Sequence, residues 1–251
     1  MTHPPPDATP RSGTVAIVSS TIHGIDVSAY QHPPYAAAPI DWREVAASGK
    51  RFAIIKATEG GPGGRVYTNP HFARDRDAAR AAGLLVGSYH FLRWERGAAS
   101  PEAQAEHYAR VVGDAAEQLV ACDLEWIRGQ TRPAGDIVDI THAFLERVET
   151  LLGRWPLIYT GPSFWRWCLA PALGTRELTL SSWPLWIVDY TPTPKRQPDA
   201  MIGAPAWRWS IWQTTGHGSC PGVEGECDLN VARDWETLRQ LAGLPLEAKG
   251  A

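Results

Sequence analysis

The residues of this chain best placed to do chemistry are carboxylic acids set into apolar strands. The segment Leu119-Val120-Ala121-Cys122-Asp123-Leu124-Glu125-Trp126 reads as one such strand. Side chains alternate across a strand, so Asp123 and Glu125 share one face and Cys122 and Leu124 the other. If the apolar face packs against helices, the acidic face points into a barrel or its mouth, where two carboxylates are costly unless they are used. Taken alone, an Asp-Leu-Glu triplet also fits two solvated or ion-paired acids. Other strands strengthen the chemical reading. Ile25-Asp26-Val27-Ser28 sets Asp26 between apolar residues, and Cys227-Asp228-Leu229-Asn230 does the same with Asp228 near the C-terminus. Phe52 to Gly60 ends with Lys56, Glu59 and a glycine. Acids on separated strands converge only if those strands close around a common mouth. Convergent carboxylates beside aromatic residues suit glycoside hydrolysis, which needs a proton donor and a second carboxylate flanking the scissile bond.

The elements that must position these acids alternate in type. Strands are expected at 22–28, 52–59, 84–91, 119–126, 157–160, 185–190 and 208–214, with a short one near Asp228. Asn69-Pro70 reads as the cap and first turn of a helix closed by Gly83, and Ser100-Pro101-Glu102 starts another that runs toward Gly113. Ile137, Ile140, Phe144, Val148 and Leu151 mark one helix face, ended by Gly153, and Trp235, Leu238 and Leu241 mark a last helix. Strand–helix alternation predicts an α/β fold. An irregular (β/α) barrel of the TIM-barrel type fits best, with few helices among the last strands; an open doubly wound sheet is the alternative. Barrel active sites sit at the C-terminal strand ends, where these acids lie. One catalytic domain is expected over residues 21–243, between a Pro-rich N-terminal tail (1–20) and a C-terminal tail (244–251). The Pro-rich stretch 191–206 reads as a long loop.

Composition narrows the function. The 251 residues carry 24 basic and 27 acidic side chains with no long run of either sign, so no nucleic-acid footprint is present. Twelve tryptophans permit carbohydrate stacking without proving it. No stretch approaches the ~20 apolar residues of a membrane span. Met1 to Ser20 lacks a basic start and a sufficient apolar run for a secretory leader, so access to an external substrate is expected by another route or from a leader outside this sequence. Cys122 and Cys168 read as ordinary buried thiols. Cys220 and Cys227 are close enough to close a loop by a disulfide in an oxidising compartment, or to stay free.

Taken in order, Gly24-Ile25-Asp26-Val27-Ser28-Ala29-Tyr30-Gln31, Ile54-Ile55-Lys56-Ala57-Thr58-Glu59-Gly60, Val86-Gly87-Ser88-Tyr89-His90-Phe91, Asp123-Leu124-Glu125, Leu185-Trp186-Ile187, Trp212-Gln213 and Asp228-Leu229-Asn230 resemble glycoside hydrolase family 25, the Chalaropsis-type lysozymes. The resemblance spans Thr21 to about Leu241. It implies an N-acetylmuramidase that cuts the β-1,4 bond between N-acetylmuramic acid and N-acetylglucosamine. It also implies a flattened barrel with a groove across its mouth, no metal or organic cofactor, and peptidoglycan glycan strands as the partner. A monomer acting at the cell wall is expected. Position by position, Glu125 becomes the general acid and Asp123 a neighbouring charge that raises its proton affinity. Asp26 and Asp228 would orient the N-acetyl group or stabilise positive charge at the reacting carbon.

Lys56, Glu59, Tyr89, Tyr159, Trp186 and Gln213 are expected around them as groove contacts or supports. Strand parity puts Lys56 and Glu59 on opposite faces of a regular strand, so one of them needs a bulge or the loop beyond to reach the site. Trp165, Trp167, Trp207 and Trp209 are assigned to packing, and His90 to a structural role. A barrel that binds peptidoglycan without cutting it is a competing class, although all four acids are in place. A chitinase-like barrel is a third, which the first-strand and Lys-Ala-Thr-Glu-Gly motifs oppose. Prophage lysis, a toxin delivered into rival bacteria and wall remodelling all remain open as roles.

Overall fold

The computed structural model describes residues 22–114, 118–170, 180–190 and 207–245. The N-terminal tail, the 191–206 loop and residues 246–251 of the C-terminal tail lie outside them. Nine strands are described: β1 (Ile22–Val27), β2 (Phe52–Gly60), β3 (Val66–Thr68), β4 (Leu85–Phe91), β5 (Leu119–Asp123), β6 (Leu157–Thr160), β7 (Leu185–Val188), β8 (Trp209–Gly218) and β9 (Cys227–Ala232). They run in the order β1-β9-β8-β7-β6-β5-β4-β2-β3, and β1 also pairs with β2, so eight strands close into a barrel with β3 appended to β2. Pairing is parallel from β1 through β2, β4, β5, β6 and β7 to β8. Within the barrel only β9 is antiparallel to its neighbours, β8 and β1, and the appended β3 is antiparallel to β2. Closure excludes the open doubly wound sheet.

The helices are α1 (Trp42–Ala47), α2 (Phe72–Ala81), α3 (Pro101–Val112), α4 (Ala134–Leu152), α5 (Pro162–Phe164, continuing into a π-helical turn Trp165–Leu169) and α6 (Trp235–Leu241). The predicted start of α3 is present: Ser100 Oγ accepts from the Ala103 N–H, and Pro101 occupies the first turn. On α4, Ile137, Phe144 and Val148 are buried, whereas Leu151 falls outside the buried face. The expected start of α2 is corrected. Asn69 caps a preceding turn through its side chain, which accepts from the His71 N–H at 3.0 Å, and the helix begins at Phe72. The sequence reading missed α1 and β3, both too short to show a period.

Strand alternation builds two cores. Residues facing outward, such as Ile25, Ile55, Val86, Val120, Ile158 and Ile187, pack beneath the helices with Phe144, Val148 and Trp165. Residues facing inward, among them Phe52, Ile54, Leu85, Leu119, Leu157 and Ile211, fill the barrel, and Leu238 and Leu241 of α6 join them. The barrel is narrow. A Cβ on Gly24 would lie 2.5 Å from the Phe52 ring, and one on Gly87 would lie 2.9 Å from Leu119 Cβ. Glycine at these two positions lets large residues from the next strands meet in the middle. With the lower interior filled by hydrocarbon, polar inward positions are confined to the mouth.

Candidate active site

At that mouth the next inward layer is Asp26 of β1, Tyr89 of β4, Asp123 of β5, Tyr159 of β6, Trp186 of β7, Gln213 of β8 and Asp228 of β9. Together with Glu125 they line a cup of about 100 Å³. Eight expected site residues thus meet in one place. β5 stops at Asp123, earlier than read, but alternation persists one step further: Leu124 is buried in the outer core while Glu125 turns into the cup. Bonds from the Leu124 N–H to the Tyr159 carbonyl (2.9 Å) and from the Trp94 indole to the Glu125 carbonyl (3.1 Å) hold this extension.

Lys56 and Glu59 stand beside the cup. β2 bulges, one of the two routes expected, with a register shift between Lys56 and Thr58. The extra residue returns Glu59 to the side of Lys56, and the two pair at 2.6 Å. Arg93 grips the other oxygen of Glu59 at 3.1 Å. Lys56 acts on the cup through charge, lowering the proton affinity of both Asp123 and Glu125.

Burial dominates the electrostatics. Asp123 is pushed well above the usual carboxylate range by burial first and by Glu125 second. Glu125 is raised by burial, then by Asp26 and Glu59, against the pull of Lys56. The expected dependence of Glu125 on Asp123 therefore takes another form: a buried acidic cluster raises both. Asp26 and Asp228 are directly opposed across the β1–β9 ladder. Burial and Asp26 push Asp228 up to about 9. Two carboxylates facing each other in a dry site cannot both ionise readily.

Amides surround that second pair. Gln213 Nε2 donates to Asp26 Oδ2 (2.7 Å) and Asp228 Oδ2 (3.2 Å), and Asn230 Nδ2 donates to Asp26 Oδ2 (2.7 Å). The hydroxyls of Tyr159 and Tyr190 both donate to Gln213 Oε1. Trp186 Nε1 donates to Asn230 Oδ1 at 2.8 Å. By contrast, Asp123 Oδ1 is buried with no hydrogen-bond partner among the described residues.

Two wider depressions flank the cup. One, of about 570 Å³, is lined by Glu125, Trp126, Arg166, Trp167, Asp189 and Tyr190 among others. The other, of about 490 Å³, includes Tyr30, Tyr35, Lys56, Glu59 and Tyr67. The assignment of Trp167 to packing is corrected: it is 70% exposed, whereas Trp165, two residues earlier and on the opposite side of the turn, is buried. Trp126 is 52% exposed. Trp165 and Trp207 are buried against each other, and Trp209 packs edge-on to Trp212. His90 is a buried structural residue: Nδ1 meets Thr58 Oγ1 at 2.7 Å, Nε2 meets Gln104 Oε1 at 3.0 Å, and burial lowers its pKa to about 3. All four cysteines are free thiols. Cys220 and Cys227 are both buried and lie next to each other.

Sequence reasoning missed the roles of Tyr190 and Asn230. Asn230 lies two residues after Asp228 on one strand face, and Tyr190 continues the parity of Trp186 and Val188; both could have been found by extending the alternation.

The profile of Glycosyl hydrolases family 25 matches residues 25–223. The uncharacterized protein YegX of Escherichia coli O6:H1 is 33% identical over 231 residues, covering 90% of this chain and 74% of its own. The N,O-diacetylmuramidase of Chalaropsis sp is 29% identical, over 78% of this chain and 88% of its own. The crystal structure of the bacterial lysozyme from Streptomyces coelicolor superposes with a TM-score of 0.74 at 27% identity, covering 90% of this chain and 100% of that one. The chain belongs to glycosyl hydrolases family 25 and is a glycoside hydrolase of the lysozyme type.

Proposed function

We propose that this protein hydrolyses the β-1,4 bond between N-acetylmuramic acid and N-acetylglucosamine in bacterial peptidoglycan, with Glu125 as the general acid. The observation that carries the reading is the position of Glu125, which lines both the acidic cup and the wider aromatic depression beside it. A sugar seated over the cup and its neighbour stacked near Trp126 and Trp167 would place the bridging oxygen beside this carboxyl. Burial keeps Glu125 protonated to higher pH than a free glutamate, as a proton donor requires.

The other acids divide the remaining work. Asp123 offers an unpartnered oxygen as an acceptor for substrate N–H or hydroxyl groups. Asp26 and Asp228 orient the N-acetyl group or stabilise the positive charge that develops at the reacting carbon. Tyr89, Tyr159 and Trp186 wall the cup, and Lys56 and Glu59 border the second depression. The partner is the glycan strand at the cell wall. Among the described residues no helix is long and apolar enough to cross a membrane.

The test is mass spectrometry of purified peptidoglycan after incubation with the protein. Fragments with reducing N-acetylmuramic acid ends are expected. Fragments with reducing N-acetylglucosamine ends would move the cut to the other glycosidic bond, and intact strands would leave a binding module.

A further inference from the structure

Gln213 and Asn230 are buried amides whose orientation is fixed by the groups on both sides of them. Gln213 is 1% exposed, and its oxygen accepts from the two phenols of Tyr159 and Tyr190. Its Nε2 hydrogens point at Asp26 and Asp228. A flipped amide would set its oxygen against two carboxylates. The indole N–H of Trp186 can only donate, so Asn230 must present its oxygen to Trp186 and its nitrogen to Asp26.

The donors are therefore shared unequally. Asp26 Oδ2 receives two N–H bonds of 2.7 Å, while Asp228 Oδ2 receives one of 3.2 Å. Hydrogen bonds from N–H groups favour the charged form of a carboxyl. A directly opposed pair in a buried site holds one proton more readily than none.

We propose that Gln213, fixed by Tyr159 and Tyr190, is a positioning residue that with Asn230 keeps the negative charge on Asp26 and the shared proton on Asp228. Resting on the muramidase reading, this gives the two acids distinct roles toward substrate. Asp228 presents a hydroxyl that donates to a carbonyl such as that of an acetamide, and Asp26 supplies the charge. The ionisable groups that face the pair are Tyr89 of β4, Asp123 and Glu125 at the end of β5, Tyr159 of β6, Tyr190 after β7 and Cys227 of β9. None of these groups carries a positive charge, so the amides are left to decide which acid ionises.

The experiment is carbon NMR of the substrate-free protein labelled at the aspartate carboxyls, titrated from acid to neutral pH. Besides the signal of the buried Asp123, a protonated carboxyl signal that persists near neutrality and is lost in Asp228→Asn is expected. In Gln213→Leu, with its fold verified by circular dichroism, that signal should divide between Asp26 and Asp228. The lower titration step, belonging to Asp26, should rise by about one pH unit or more. Tyr190→Phe should move the same step in the same direction by less. An unchanged titration in Gln213→Leu, or a persistent proton assigned to Asp26, overturns the proposal. Because no substrate is used, the result stands apart from whether the protein cuts peptidoglycan.

Discussion

Asp26 and Asp228 face each other across two strands with the amides of Gln213 and Asn230 turned toward them, whereas Asp123 and Glu125 share the same cup with little support. Asp123 has one oxygen unpartnered, and the only hydrogen bond to Glu125 among the described residues reaches its backbone carbonyl. Both pairs are raised by burial, so desolvation does not distinguish them. Hydrogen bonding does. A carboxyl whose lone pairs are already engaged is fixed in place and protonation state before substrate arrives. One left unpartnered in a dry site gains its partners from substrate, which suits the group that must exchange a proton during the reaction.

The largest expected effect tests that division directly. Glu125→Gln preserves shape and removes the transferable proton, and should lower turnover of peptidoglycan by roughly 10²–10⁴-fold, the usual contribution of general acid catalysis. Folding should be unharmed, since the side chain has no bond to a described neighbour to lose. Steady-state rates and melting curves measured together decide it. If Asp26→Asn costs more activity than Glu125→Gln, the engaged pair carries the proton transfer and the division is reversed.

A smaller effect sharpens the other half. The folded-state pKa of Asp228 is about 9, against 3.8 for an ordinary aspartate. Between those values the folded protein binds a proton that the unfolded chain does not. The stability this group contributes is therefore complete at acid pH and is lost as pH rises toward about 9. Asp228→Asn mimics the protonated form permanently. Its melting temperature should fall less than the parent's between about pH 5 and about pH 9. Parallel curves for the two proteins would mean that Asp228 ionises as an ordinary aspartate.

Much of this was legible in the sequence, and for a physical reason. Period-two alternation identifies which residues share a strand face, so Asp26, Asp123, Glu125 and Asp228 could be placed at one mouth once a barrel was inferred. Parity also separated Lys56 from Glu59 in a regular strand, and of the two ways round this, a bulge or the loop beyond, the structure uses the bulge. The hydrogen-bond network was not legible. That Tyr159 and Tyr190 meet one oxygen of Gln213 depends on the diameter and twist of the closed barrel, which no local pattern encodes. The failure at Trp167 is of the same kind. Trp165 and Trp167 sit two apart, on opposite sides of a helical turn, and only the tertiary packing decides which of them is covered.

That turn suggests the smallest and most discriminating of these changes. Trp165 is buried against Trp207, while Trp167 projects into the depression that Glu125 also lines. Truncating a buried tryptophan typically costs about 3–5 kcal/mol, whereas an exposed one away from the core changes stability by within about 0.5 kcal/mol. Trp165→Ala should therefore lower stability severely, and Trp167→Ala should leave the melting curve nearly unmoved. If Trp167 stacks on a sugar, its loss removes about 0.5–1.5 kcal/mol, a rise in KM of roughly 2- to 10-fold. Turnover should stay near the parent's, because the contact lies away from the reacting bond and serves ground state and transition state alike. A stability loss in Trp167→Ala would return the residue to the packing role first read for it. A fall in kcat at unchanged KM would instead place its contact in the transition state, alongside Glu125.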